Sequence, residues 1–486
     1  MAERDLYLGV DVGTTAIKGA LFGRDGRLVA EASRRYATTR PAPGIAEQNP
    51  GDWVEGVVAV MDALLVEGRA ARVEAVGLCS QVNTDVFVGA DGRALTPAIA
   101  WQDNRAAAEA AALDAAVSAE DRIAWFGAPL PIGASHVLAR IAWMKRERPE
   151  IFAATRAVLT PKDYVLAALT GETVSDPMSN FFVVGLDLRY VEPLIAQVEG
   201  ARERLPALKA FTDVIGEIRL GSSGLRAPVV AGVMDAWSGL VGSGVAGAGQ
   251  GVYMSGTSEI IANASAARIG APGVVTFPSA AGLTVNAGPT QAGGDALHWF
   301  AESYGLDVAG ALALAGEADR DRAPILFLPH LEGERAPLWD AELRGAFIGL
   351  DRRTKGPDFA LAVLEGVALS ARLLCEACDA AAGGAPERLF LAGGGARSDL
   401  WAQIRADCLG RSLDRVAHLD VGCLGAAILA AVGVGAYPSL REATTAMTHV
   451  ERTFAPDPQR KARYDAMFAA FSAATAALRP LGRFRY

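Results

Sequence analysis

One short pattern occurs twice in this chain, and it constrains the fold more than any other feature. Near the N-terminus the apolar run Leu6-Tyr7-Leu8-Gly9-Val10 empties into the polar corner Asp11-Val12-Gly13-Thr14-Thr15, and a second strand-like run follows from Ile17 to Phe22. In the second half, Gly251-Val252-Tyr253-Met254 leads into Ser255-Gly256-Thr257-Ser258, and Glu259 to Ala262 continues as strand. Each copy reads as two strands joined by a glycine- and hydroxyl-rich turn. Such repetition predicts a duplicated fold with a cleft between its copies. At about 150 residues per domain, 486 residues agree with two or three domains. The boundary falls near Val245 to Gly249, giving domains 1–246 and 247–486.

The remaining pattern is α/β. Arg24-Asp25-Gly26-Arg27 predicts a hairpin turn before Leu28 to Ser33, so the chain opens as an antiparallel meander. A helix is expected over Asp52 to Leu65, with Asn49-Pro50 and Asp52 as start signals. Val73 to Leu78 reads as a strand that empties into Cys79-Ser80-Gln81-Val82-Asn83-Thr84-Asp85, and alanine-rich helices fill Arg105 to Ala116 and Ser135 to Arg146. Pro228 to Asp235 is a strand ending on an acid, and Leu389-Phe390-Leu391-Ala392 feeds Gly393-Gly394-Gly395. Alternating strands and helices predict an α/β architecture.

Composition excludes several function classes. Lys plus Arg number 46 against 55 Asp plus Glu, a net charge of −9. That balance argues against nucleic acid or an anionic membrane as partner, because both need clustered basic charge. Five cysteines in 486 residues are too few for a disulfide scaffold and point to a reducing compartment. Cys375 and Cys378 form a C-x-x-C inside an alanine- and leucine-rich stretch, which predicts buried core thiols. The uncharged run Val421 to Leu440 is interrupted by glycine and proline and reads as a buried helix plus turn, not a membrane span. The N-terminus carries acidic residues early and runs straight into a strand, unlike a signal peptide, so a cytoplasmic protein is expected.

The two polar corners are suited to a phosphate chain. Small residues let backbone N–H groups approach the oxygens, and threonine hydroxyls add donors. Asp11 ends the first strand where it can hold Mg2+, which prefers one or two carboxylates plus phosphate oxygens. Gly242-Ser243-Gly244-Val245-Ala246-Gly247 satisfies G-x-G-x-x-G but lacks the strand-to-helix context and the acid about twenty residues on that a dinucleotide site needs. There is no P-loop, no G-x-S-x-G, and no metal-binding spacing among the five histidines.

Several further segments carry a resemblance. Asp11-Val12-Gly13-Thr14-Thr15 with Lys18, Trp101-Gln102-Asp103-Asn104-Arg105, Lys162-Asp163-Tyr164 and Leu169-Thr170-Gly171-Glu172 are similar to the FGGY carbohydrate kinase family. So are Gly333-Glu334-Arg335-Ala336-Pro337, the stretch from Gly345 through Glu365, and Gly393 to Trp401. The matches run in order over nearly the whole chain. The resemblance implies two ribonuclease-H/actin-like domains with ATP and sugar meeting in an interdomain catalytic cleft. Among family members the chain looks most similar to xylulokinases, which implies a ketopentose acceptor such as D-xylulose. Another pentulose, a polyol or a sugar acid remains open, as does an actin/Hsp70-like ATPase that transfers nothing to sugar. A homodimer is compatible with this reading.

Site residues follow from the same resemblance. Asp235 is the implied general base and also a sugar contact, and Asp11 is catalytic as the Mg2+ ligand. Gly13, Thr14, Thr15 and Lys18 flank the β- and γ-phosphates, and Ser255, Gly256 and Thr257 approach them from the other domain. Gly294, His298, Gly394 and Ser398 border the nucleotide, while Val82, Asn83, Trp101 and Asp103 fall at sugar-pocket positions. Glu334 and Arg335 are expected as a structural ion pair. Two departures from the family stand out. Gln81-Val82-Asn83 replaces the Gln-Met-His of xylulokinases, which opens the sugar's identity. Arg140 stands where Lys is usual, a change expected to matter little because the charge is kept.

Overall fold

The computed structural model describes residues 4–321 and 325–483 and divides into two compact units. The first comprises Met1–Ala246 with Val421–Thr448, the second Gly247–Asp420 with His449–Tyr486. The chain therefore returns once to the first unit, a crossing that the single boundary read from the sequence does not contain.

In the first unit the strands Leu6–Val12, Ala16–Gly23 and Leu28–Arg35 form the antiparallel meander. On the other flank of Leu6–Val12, Val73–Ser80 and then Leu225–Val230 run parallel, and Val214–Leu220 closes that edge antiparallel. The second unit repeats this order and sense. Gln250–Ser255 is central, with Glu259–Ser265 and Thr284–Pro289 antiparallel on one flank. Arg388–Ala392 and Leu413–Val416 lie parallel on the other, and Val450–Phe454 closes the edge antiparallel. The weak internal echo in the sequence is thus a duplicated mixed sheet.

Central strands covered on both faces read as near-continuous apolar runs. Leu6, Leu8, Val10 and Val12 pack with Trp53, Val57, Met61 and Leu64 of the helix Pro50–Leu64. Asn49 caps that helix by accepting from the Gly51 amide, as its start signals suggested. The opposite face carries glycine at the contact, and there the returning helix Val421–Gly433 lies directly on the backbone. A Cβ at Gly9 would stand 1.8 Å from the Cys423 carbonyl oxygen, and one at Gly77 would stand 1.9 Å from that of Ala426. The helix Asp235–Gly242 meets the same apolar helix equally closely, since a Cβ at Gly242 would lie 2.0 Å from the Val421 oxygen. The uncharged stretch is therefore core, and no helix among the described residues is long and apolar enough to cross a membrane. Cys375 and Cys378 are buried, unpaired thiols on the helix Gly356–Ala382, and burial pushes Cys375 up to about 12.

The close approach yields a prediction. Gly77→Ala forces a methyl group into the Ala426 carbonyl, and overpacking of this kind costs about 1–3 kcal/mol. Urea unfolding of the variant should show a lower midpoint at an unchanged slope; an unchanged midpoint would mean that the helix does not rest on this strand.

Candidate active site

The first polar corner owes its shape to two buried glutamines and a tyrosine. Asp11 and Lys18 are direct partners in the ladder between Leu6–Val12 and Ala16–Gly23, so their side chains leave one face of the hairpin. Between them the Gly13 amide donates to the Ala16 carbonyl at 3.1 Å. The Tyr36 hydroxyl donates to the Gly13 carbonyl, and Gln48 Nε2 donates to the Thr14 carbonyl at 3.0 Å. Gln81 Nε2 ties these two supports together, reaching Tyr36 Oη at 3.2 Å and Gln48 Oε1 at 2.8 Å. Thr15 stays exposed at the tip. Tyr36 and Gln48 carry no motif signal; only contact across three elements reveals them.

Strand register then brings a second carboxylate to the same edge. Asp11 lies beside Cys79 in the parallel ladder with Val73–Ser80. The short strand Val233–Met234 pairs with Cys79 and Ser80 from the other side, and Asp235 follows as the first residue of the helix Asp235–Gly242. Gly232 permits this entry: it takes φ +71°, and a Cβ there would stand 2.0 Å from the Leu78 carbonyl oxygen. Asp235 Oδ1 accepts from the Ala236 amide at 2.7 Å. Burial and the neighbouring Asp11 carboxylate nevertheless outweigh this bond and raise the Asp235 carboxyl to about 7. Burial and Asp11 likewise push the Cys79 thiol well up, so it stays protonated and inert. Asp11 suits a divalent cation, since Gly422 leaves space beside it. A Cβ at Gly422 would lie 3.1 Å from Asp11 Oδ2. Among the described residues no three His, Cys, Asp or Glu side chains cluster as a protein-only metal site, and magnesium with phosphate oxygens needs none.

The segment after Val73–Ser80 is held by Arg140. Val82 and Asn83 are half-buried, and Asn83 adopts φ +54°, a left-handed conformation that Asn tolerates better than most residues. Arg140 is fully buried. Its Nη1 donates to the Asn83 carbonyl at 2.5 Å and Asp85 Oδ2 at 2.8 Å, and its Nη2 donates to the Ala100 carbonyl at 2.6 Å. One guanidinium fork thus ties together the two loops that carry Asn83 and Trp101. This corrects the expectation that Arg in place of Lys matters little, because a single ammonium does not match that planar fork.

Trp101 is 44% exposed, and its indole N–H donates to Thr14 Oγ1 at 3.2 Å, linking this loop to the first corner. Asp103 differs from expectation. It is buried, and its two oxygens accept from the Ala46 amide, the Arg105 amide and two nitrogens of the Arg105 guanidinium. Burial alone would raise its carboxyl, but the Arg105 and amide hydrogen bonds prevail and lower it. With its lone pairs so occupied, Asp103 positions the loop and does not face a sugar.

In the second unit the corner Ser255–Ser258 packs on the start of the helix Gly294–Ser303. The Gly294 amide donates to the Gly256 carbonyl at 2.8 Å, and a Cβ at Gly294 would stand 2.6 Å from that oxygen. Gly256 and Thr257 are exposed at the tip, and His298 is exposed on the helix. Ser255 corrects its expectation: it is fully buried, donates to Glu259 Oε1 at 3.1 Å and accepts from Arg405 Nη2 at 2.6 Å. Arg405 also reaches Glu259 at 3.0 Å and the Gly395 carbonyl at 3.0 Å while stacking on Trp401. The buried pair therefore braces the corner against the turn at 393–395, and the Ser255 hydroxyl is not open to a nucleotide. Gly394 is exposed, with open space around it, whereas Ser398 caps the helix Asp399–Leu409 by accepting from the Trp401 amide. Glu334 and Arg335 are not joined by a direct ion-pair contact. Glu334 accepts from His330, Ser370 and the Gln291 and Arg335 amides, while Arg335 holds the Thr290 carbonyl.

The likeness to known proteins extends over most of the chain. Residues 6–242 match the N-terminal domain of the FGGY family of carbohydrate kinases and residues 251–434 its C-terminal domain. A xylulose kinase of Escherichia coli K12 is 32% identical over 478 residues, covering 94% of this chain and 96% of that protein. One from Klebsiella pneumoniae is 32% identical over 496 residues, 98% of this chain and all of its own. The crystal structure of a xylulose kinase from Rhodospirillum rubrum superposes with a TM-score of 0.88 at 28% identity, covering 99% of this chain and 100% of that one.

The paired carboxylates predict a pH-dependent stability penalty. The unfolded Asp235 carboxyl titrates near 3.8, whereas the folded one keeps its proton to about 7. The native state thus binds the extra proton between these values, so stability falls as pH rises through that window and the full penalty stands above pH 7. Asp235→Asn removes it, and its Tm should exceed that of the wild type by more at pH 8 than at pH 5. An equal difference at both values would mean that neither burial nor Asp11 raises the folded Asp235 carboxyl.

Proposed function

The chain belongs to the FGGY family of carbohydrate kinases, and on that premise we propose that it transfers the γ-phosphoryl of ATP to a ketopentose such as D-xylulose, with Asp235 as general base. The observation that carries the base assignment is the Asp235 carboxyl raised to about 7 beside Asp11 at the sheet edge. A base whose pKa lies near the working pH combines a useful ionised fraction with enough basicity to take a hydroxyl proton. The acceptor reading is supported by the full-length similarity to proteins named xylulose kinases.

The chain's own groups divide the work. The sugar hydroxyl gives its proton to the Asp235 carboxylate as its oxygen bonds to the γ-phosphorus, and the bond to the β-phosphate oxygen breaks to release ADP. Phosphoryl transfer demands mainly positioning and neutralisation of the phosphate oxygens. Lys18 and the Gly13–Thr15 corner supply cationic and N–H donors for that purpose. Mg2+ held by Asp11 would neutralise charge on the phosphate oxygens. Gly294, His298, Gly394 and the Ser398 turn are the nucleotide-side surface. Val82, Asn83 and Trp101 face the acceptor, while Asp103 and Arg140 act through them as positioning residues.

Two outcomes test this reading. In the free enzyme kcat/KM should fall on the acid side with an apparent pKa near 7, and Asp235→Asn should lower kcat by about 10²-fold or more and abolish that limb. Near wild-type turnover in the variant would rule Asp235 out as the base. The acceptor is tested through Asn83, whose amide is shorter than the imidazole of xylulokinases and carries a fixed donor and acceptor. Asn83→Ala should raise KM for the best substrate and narrow the spread of kcat/KM among D-xylulose, D-ribulose and L-ribulose. Equal losses for all three would reduce Asn83 to a loop support.

A further inference from the structure

Thr84 follows Asn83 on the segment after Val73–Ser80, and its side chain is buried. Its hydroxyl accepts from the Trp101 amide at 3.1 Å and donates to Gln81 Oε1 at 3.4 Å. From Trp101 the indole N–H continues to Thr14 Oγ1 at 3.2 Å. From Gln81, Nε2 continues to Gln48 Oε1 at 2.8 Å, and Gln48 Nε2 ends on the Thr14 carbonyl at 3.0 Å. Two routes that start at one hydroxyl thus end on one residue and close a ring. The ring ties the first polar corner to the two loops that carry Asn83 and Trp101.

Chemistry fixes every direction in this ring. A carbonyl oxygen only accepts, so Gln48 must turn Nε2 to the Thr14 carbonyl and Oε1 to Gln81. Gln81 then uses both amide hydrogens, on Gln48 Oε1 and Tyr36 Oη, and keeps Oε1 for Thr84. The Thr84 hydrogen is committed to Gln81, which leaves its lone pairs for the Trp101 amide. An indole N–H only donates, so Thr14 Oγ1 accepts from Trp101 and directs its own hydrogen elsewhere. Gln48, Gln81 and Thr84 are all buried, where water does not compete for these bonds.

We propose that Thr84 is a positioning residue for phosphoryl transfer: the ring it closes makes the placement of Thr14 depend on the loops that face the acceptor, so that acceptor and ATP bind with positive coupling. The inference rests on the acceptor reading above, in which Val82, Asn83 and Trp101 face the sugar. An acceptor that orders those loops orders Thr14 through the ring, and the phosphates then meet a corner already in place. Coupling of this kind is reciprocal, since each ligand must tighten the other by the same factor. A ring that only braced the fold would leave the two ligands independent of each other.

The test is turnover and calorimetric binding with the full chain in wild type, Thr84→Val, Thr84→Ser and Trp101→Phe. The ligands are a non-hydrolysable ATP analogue with Mg2+ and the best used of D-xylulose, D-ribulose and L-ribulose, each titrated alone and with the other saturating. In wild type each ligand should tighten the other by the same factor, about fivefold or more. Thr84→Val keeps the volume but removes both bonds of the hydroxyl. It should bring that factor close to one and lower kcat by about tenfold or more, whereas Thr84→Ser keeps the hydroxyl and should restore both. Thr84→Val also leaves a buried amide and Gln81 Oε1 unpaired and lowers Tm. Trp101→Phe cuts the ring at a partly exposed indole and should lose the coupling at the wild-type Tm. Independent binding in wild type, or wild-type coupling kept by either Thr84→Val or Trp101→Phe, overturns the role of Thr84 and leaves the kinase standing. No turnover of any of the three sugars by wild type instead overturns the acceptor reading, and the positioning role falls with it.

Discussion

Two carboxylates held side by side in a desolvated strand edge are an unfavourable arrangement, and much of the first unit exists to hold it. Asp11 and Asp235 lie more than two hundred residues apart in sequence, brought together because Val73–Ser80 pairs with both Leu6–Val12 and Val233–Met234. Burial, and then the repulsion from Asp11, raise Asp235 to about 7. That energy is recovered in the packing below: the returning helix Val421–Gly433 presses on glycine backbone in the two central strands, and the helix that begins at Asp235 packs against it. A stability cost stored at a functional edge and offset by a well-packed scaffold is a common design for a general base.

Around this edge the same solution recurs at each loop, a buried polar side chain that bonds several partners at once. Gln48, Gln81 and Tyr36 hold the carbonyls of the first corner, Arg140 ties two loops with one fork, and Asp103 engages four donors. In the second unit Arg405 and Glu259 brace the corresponding corner. Such networks fix a single loop geometry, whereas breaking one member leaves its partners buried and unpaired.

The fold was largely legible beforehand because its signals are local. The strand–corner–strand units, the cap at Asn49 and the apolar run from Val421 are patterns of neighbouring residues, and each formed the expected element. The single-boundary reading lacked the return of residues 421–448 to the first unit, because nothing in an apolar helix says which sheet it will cover. Among the site residues, sequence pattern placed Asp11 near the end of the first strand, where the structure has it, and read Asp235 as a strand end where the structure begins a helix. It misjudged Asp103, Ser255 and Arg140, whose surroundings consist of partners distant in sequence.

What the sequence alone determined is the chemistry on offer: the duplicated hairpins, the glycines at backbone crossings, and an acid following the Val233–Met234 strand. These depend on residue type and short spacing, which determine strand alternation, turn geometry and side-chain charge directly. Tertiary structure decided which of those groups remain open to a ligand. Asp103 and Ser255 became braces once Arg105 and Arg405 filled their lone pairs, and the carboxyl of Asp235 is raised by burial and by Asp11, which strand pairing put next to it. Hydrogen-bond saturation and desolvation are properties of the whole neighbourhood, and in this chain that neighbourhood is assembled from segments far apart in sequence.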